Sequence, residues 1–187
     1  PGYKHTIFSS LSTDLADMTI LCTAPSKTFN LAGLQAANIF ISNDTLRREF
    51  KAEISRSGYG EISITGLRAA QAAYEHGADW LEQLQQYLQD NLSWLEQFLF
   101  DELPQVKLVR PQGTYLVWLD FRSILADDKE RKDFMVNEAK LWFDEGTMFG
   151  PEGSGYERVN IACPRSTLEE AMHRLKNASD RRFGISK

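Results

Sequence analysis

Long apolar runs are missing from this chain of 187 residues. None approaches the ~18 residues that a membrane-crossing helix needs, and no signal peptide opens the chain, so no membrane partner is expected. Basic clusters run no longer than the pair Arg181-Arg182, and the net charge is −5 with a pI near 5.3. That balance excludes a nucleic-acid surface. Histidine is scarce, and His5, His76 and His173 are scattered without metal-ligand spacing, so no metal site is expected. The two cysteines, Cys22 and Cys163, lie far apart and form no CxxC pair. They predict two buried, reduced thiols in a cytoplasmic protein. There is no initiating methionine either, and Pro1-Gly2-Tyr3-Lys4-His5 reads as a loop from mid-protein.

What is present is ordinary for a globular protein: 42% hydrophobic and 25% charged residues, enough for one or two domains with a real core. Strand and helix patterns alternate, which gives an α/β class. Met18–Cys22 suits a buried strand that Pro25 ends. Phe40-Ile41 suits a second, and Asn43 or Asp44 caps a helix through Phe50. Gly58 and Gly60 allow positive φ in the loop that follows. Small or apolar residues then recur from Leu67 to Leu99 at steps of three and four. The stripe is longer than an average helix and predicts two consecutive helices or one bent helix, stopped by Pro104. Val106–Val109 and Thr114–Phe121 read as strands, Lys129–Glu145 as a helix terminated by Gly146, and Arg158–Ala162 as a strand. Ser166-Thr-Leu-Glu169 offers a capping box for the last helix.

The chemistry concentrates after the first strand, in Ser26-Lys27-Thr28-Phe29-Asn30-Leu31-Ala32-Gly33-Leu34. Ser26 and Lys27 sit at a strand tip, where open α/β sheets place their ligands. A lysine there can form a Schiff base when its neighbours favour the neutral amine. The local pattern alone favours a lysine pointing into water. Arg158 is a second candidate, because a planar guanidinium grips a carboxylate through two parallel hydrogen bonds. By position alone it is an exposed edge residue at the start of a strand. Gly150-x-x-Gly153-x-Gly155 looks like a phosphate loop, but it precedes a strand rather than following one and is rejected as a dinucleotide fingerprint.

The Ser26–Leu34 segment resembles the cofactor-lysine segment of fold type I pyridoxal-phosphate (PLP) enzymes. Within the class I/II aminotransferases it is most similar to the MalY/PatB type of carbon–sulfur lyase. Two further stretches are similar to that family: Gly113-Thr114-Tyr115-x-x-Trp118-x-Asp120, and Arg158-Val-Asn160-Ile-Ala-Cys163-Pro164-Arg165. The resemblance implies that Lys27 carries PLP and acts as general base, and that Arg158 holds the α-carboxylate of a small amino-acid substrate. Ser26 would bond the phosphate, although Ala24 stands where many relatives have a serine for that purpose. Gly113 and Tyr115 would border the substrate pocket, and Arg165 would be structural.

The resemblance also implies the organisation: residues 1–88 as the end of a large PLP-binding domain, and 89–187 as a small C-terminal α/β domain. The full-length parent would be a cytoplasmic homodimer acting as a cystathionine or cysteine-S-conjugate β-lyase. An aminotransferase on the same scaffold is the alternative, and a non-catalytic regulatory or interaction module the rival of another class. PLP chemistry also needs an acidic partner for the pyridinium nitrogen, a stacking aromatic and a cluster of phosphate donors. In the family these lie largely in the N-terminal half, so this chain alone is not expected to be a competent enzyme.

Overall fold

The structure, a computed structural model, describes residues 2–184; Pro1 of the opening loop lies outside them. The chain divides into two units, one over Gly2–Leu84 and one from Gln85 onward.

The first unit begins with a helical turn at Phe8–Ser10 and a short helix α1 (Thr13–Asp17), whose Ser12 cap accepts a bond from the Leu15 amide. Strands β1 (Ile20–Thr23) and β2 (Asn38–Ile41) form an antiparallel pair, with Ile20 opposite Ile41 and Thr23 opposite Asn38. The strand predicted over Met18–Cys22 therefore exists, but it is largely exposed rather than buried. A two-stranded ribbon leaves both faces open, so β-branched content marks the strand without marking burial. Cys22 is exposed with it, which corrects the expectation of a buried thiol there; both cysteines are free.

Of the two candidate caps, Asn43 is the one that starts helix α2 (Asp44–Arg56): its Oδ1 accepts from the Thr45 and Leu46 amides at 2.9 and 3.1 Å. The long stripe resolves into α3 (Ile64–His76) and α4 (Ala78–Glu102), broken at Gly77. Of the two loop glycines, Gly58 takes positive φ and Gly60 does not. Most of the molecule's exposed large apolar side chains, among them Phe8, Met18, Phe40 and Ile64, belong to this unit.

The second unit closes a core of its own. Strands β3 (Lys107–Val109), β4 (Leu116–Asp120), β5 (Asp144–Glu145) and β6 (Tyr156–Asn160) form an antiparallel sheet in the order β3-β4-β6-β5. Val117, Leu119 and Val159 point inward by strict alternation, onto Leu95, Leu99 and Leu103 near the end of α4 and Leu168, Met172 and Leu175 of α6 (Arg165–Phe183).

Two helix predictions need correction. In place of a helix over Lys129–Glu145 there is α5 (Asp128–Asp133) followed by one π-helical turn, Phe134–Glu138. Lys140 then adopts φ 56°, and the Leu141 amide bonds back to the Met135 carbonyl at 2.8 Å. This left-handed cap stops the helix well before Gly146, which frees Asp144-Glu145 to become β5. Gly146 serves a different purpose: a Cβ on it would collide with the Gly153 carbonyl, so the glycine lets two turns meet. The capping box at Ser166 is also absent. Helix α6 begins two residues earlier than that box requires, with Pro164 at the cap position and no side-chain cap, which puts Ser166 inside the first turn.

Candidate functional site

Lys27 lies on a single helical turn that leaves β1. The Phe29 amide bonds to the Pro25 carbonyl and the Leu31 amide to the Ser26 carbonyl, both at 2.9 Å. The second bond closes over Asn30, which holds φ 55°. Asparagine tolerates that left-handed conformation better than most residues, so the sequence Asn30-Leu31 ends the turn here. Pro25 is buried, Ser26 half-buried and Lys27 exposed. The turn is pinned by Phe29, whose ring meets Tyr74 edge-on at 6.4 Å and Trp80 at 5.9 Å. Beside that anchor Phe29, Leu31, Ala69, Ala73 and Trp80 help to line an open apolar hollow of about 380 Å³.

Arg158 sits in the second unit, on the outer face of β6. It is not at a sheet edge, because β6 runs between β4 and β5; Trp118 pairs with it on one side and Asp144 on the other. Its Nε and Nη2 both donate to Asp144 Oδ2, at 3.1 and 2.5 Å. The guanidinium carbon lies 4.2 Å from the centre of the Phe149 ring, which meets Trp118 edge-on at 5.4 Å. Arg158 keeps a quarter of its side chain exposed.

Lys27 and Ser26 thus belong to one unit and Arg158 to the other. Gly113 lies in the bend before β4, while Tyr115 packs half-buried against the core and its carbonyl accepts from the Ile161 amide. Arg165 is structural: its Nε donates at 2.9 Å to Oδ1 of the fully buried Asn91, whose Nδ2 donates to the carbonyls of Ile161 and Cys163. Burial pushes the Cys163 thiol up. The rejected glycine motif is a packing device. Gly155, at φ 86°, stands where a side chain would strike Arg122, and its amide donates to Asp128 Oδ1 at 3.0 Å.

One charged cluster escaped the sequence reading. Arg131 is fully buried, with Nε on Glu157 Oε1 at 2.9 Å, Nη1 on the Leu125 carbonyl and Nη2 on Asp128. Asp128 also accepts from Ser154 Oγ at 2.7 Å. Arg131 holds the Asp128 carboxyl down at about 2. Glu157 goes the other way: burial raises it to about 7 despite the Arg131 bond. With Arg131 already balanced by Asp128, a second buried anion is the unfavourable member, and keeping one proton on Glu157 makes the triad neutral. The triad ties α5 and the glycine loop to β6, the strand that carries Arg158. Only the i, i+3 spacing of Asp128 and Arg131 hinted at it.

The profile of the family "Aminotransferase class I and II" matches residues 3–175, and the chain belongs to that family. Among curated relatives it is 42% identical to the cystathionine beta-lyase PatB of Bacillus subtilis (strain 168), over 95% of this chain and 46% of that protein. It is 36% identical to the protein MalY of Escherichia coli (strain K12), over 84% of this chain and 41% of that one. Among solved structures, cystalysin from Treponema denticola, which contains a pyridoxal 5'-phosphate cofactor, superposes with a TM-score of 0.94 at 38% identity, covering 97% of this chain and 46% of that one. The chain spans about half the length of the curated relatives it matches.

Proposed function

We propose that this chain is the C-terminal part of a PLP-dependent carbon–sulfur β-lyase, with residues 1–88 ending the large cofactor domain and 89–187 forming the small C-terminal domain. The observation that carries this reading is the Lys27 turn: an exposed primary amine on a capped, aromatically anchored turn directly after a strand. An amine so held fits an aldehyde cofactor, and the half-buried Ser26 hydroxyl beside it suits a phosphate oxygen. When bound, PLP supplies an electron sink for the charge left by a broken bond at the substrate's Cα. The exposed apolar side chains of the first unit fit a surface that the rest of such a domain covers.

The chain's own residues divide the work. Lys27 Nζ holds the cofactor at rest and takes the Cα proton of the amino-acid substrate during turnover. Arg158 grips the α-carboxylate, and so fixes which bond at Cα is aligned for cleavage. The β-thiolate then leaves and takes up a proton to become the thiol, and water hydrolyses the released enamine to pyruvate and ammonia. The full-length protein is proposed to act as a cytoplasmic homodimer. The full-length protein with PLP should release pyruvate from cystathionine, and Lys27→Ala should abolish it. Equal pyruvate release by both proteins, or none from either, would refute this reading.

An aminotransferase is the second reading. It is favoured by the likeness, with a TM-score of 0.92 and 37% identity, to the structure described as a PLP-bound putative aminotransferase from Clostridium difficile 630. Amino transfer to a keto acid, without pyruvate from cystathionine, would select it.

A further inference from the structure

Arg158 does not present a free guanidinium. A guanidinium offers two forks to an oxyanion: a side fork made of Nε and one terminal nitrogen, and an end fork made of the two terminal nitrogens. Asp144 fills the side fork with a single oxygen, Oδ2, at 3.1 Å from Nε and 2.5 Å from Nη2. Phe149 covers one face of the plane at 4.2 Å. The plane and one edge are therefore fixed, and among the described residues the end fork has no carboxylate partner. Asp144 is itself fixed by register, as the residue directly opposite Arg158 in the β5–β6 pair. Its neighbour Glu145 is tied to Lys132 of α5 at 2.6 Å, which anchors the two-residue strand.

We propose that Asp144 is a positioning residue for substrate binding: it clamps the side fork of Arg158 so that the end fork alone receives the substrate's carboxylate. The inference rests on the reading of Arg158 as the carboxylate-binding residue. An unclamped arginine on this exposed face could offer either fork, and each would turn the substrate differently about Cα. The clamp has a chemical cost, since it places a second negative charge near the incoming carboxylate. Asp144 keeps 43% of its side chain in solvent, where water screens that charge. Orientation is thus gained at a modest loss of attraction.

The test uses the full-length enzyme with its cofactor and three variants: Asp144→Ala, Asp144→Asn and Arg158→Ala. Losing the clamp should raise KM for the amino acid about tenfold, the scale of a hydrogen bond to a charged group, and should lower kcat because misaligned substrate reacts poorly. Asp144→Asn keeps an acceptor at the same place and should restore most of both. In the same full-length enzyme the Arg158 Nε–H NMR signal should be slow to exchange with solvent and should become fast in Asp144→Ala. If Arg158→Ala raises KM while Asp144→Ala does not, the clamp is wrong and the carboxylate role stands. If Arg158→Ala leaves KM unchanged, the carboxylate role itself fails and takes the clamp with it. An asparagine variant as impaired as the alanine one would also overturn the proposal.

Discussion

Phe29 stands where a side chain on Gly77 would have to go: a Cβ there would lie 2.5 Å from Phe29 Cε1 and would overlap the Ala73 carbonyl oxygen as well. The break between α3 and α4 and the turn that carries Lys27 are therefore one packing arrangement. Gly77→Ala should lower stability by about 1–3 kcal/mol, the usual cost of overpacking. Shortening Phe29 to alanine in that background should recover part of the loss. A double-mutant cycle on thermal unfolding measures the coupling; losses that add to within about 0.5 kcal/mol would contradict the contact.

Asn30 ends the lysine turn at φ 55°. Asn30→Gly should be neutral or slightly stabilising, whereas Asn30→Val should cost about 1–2 kcal/mol, because a β-branched side chain suffers most in the left-handed region. Hydrogen exchange at the Leu31 amide, bonded to the Ser26 carbonyl, reports the fraying directly.

The Asp128–Arg131–Glu157 triad gives stability a pH dependence of known sign. Glu157 is raised from an ordinary 4.5 to about 7, so folding takes up a proton between those values. Its contribution is full below 4.5 and is lost as pH rises through 7. Asp128, lowered from 3.8 to about 2, contributes fully above 3.8 and loses its share as pH falls through 2. Urea melts should show a decline on the order of 2 kcal/mol from pH 5 to pH 8, and Glu157→Gln should flatten it. A stability that rises over that range would contradict the protonated triad.

Asn91 is fully buried and joins α4 to the segment after β6 and to Arg165. Asn91→Leu strands two carbonyls and a guanidinium Nε without partners. The expected loss is about 2–4 kcal/mol, read by denaturant midpoint, with Arg165 freed from its place near Trp94.

Much of this was legible in the residues. Asn43 capped its helix, the stripe from Leu67 to Leu99 broke into two helices, and the strand read over Thr114–Phe121 is there as Leu116–Asp120. What could not be read were features set by tertiary contact. Arg131 and Glu157 drew no reading from the sequence, because each finds its partner 26 residues away. Lys140 ends a helix that was read as running on to Glu145, since nothing local marks a lysine for positive φ. The clamp on Arg158 depends on the register of a two-residue strand, a signal too short to see. Burial of β1 was overestimated because its composition cannot say how many layers cover it.

We propose that Lys27 is the amine that holds the cofactor. Borohydride trapping of the full-length protein incubated with PLP, followed by peptide mass mapping, tests it most directly. One phosphopyridoxyl group is expected, on the peptide containing Ser26-Lys27-Thr28, and none in Lys27→Ala. Label on another lysine such as Lys4 or Lys51, or no stoichiometric label at all, would contradict it.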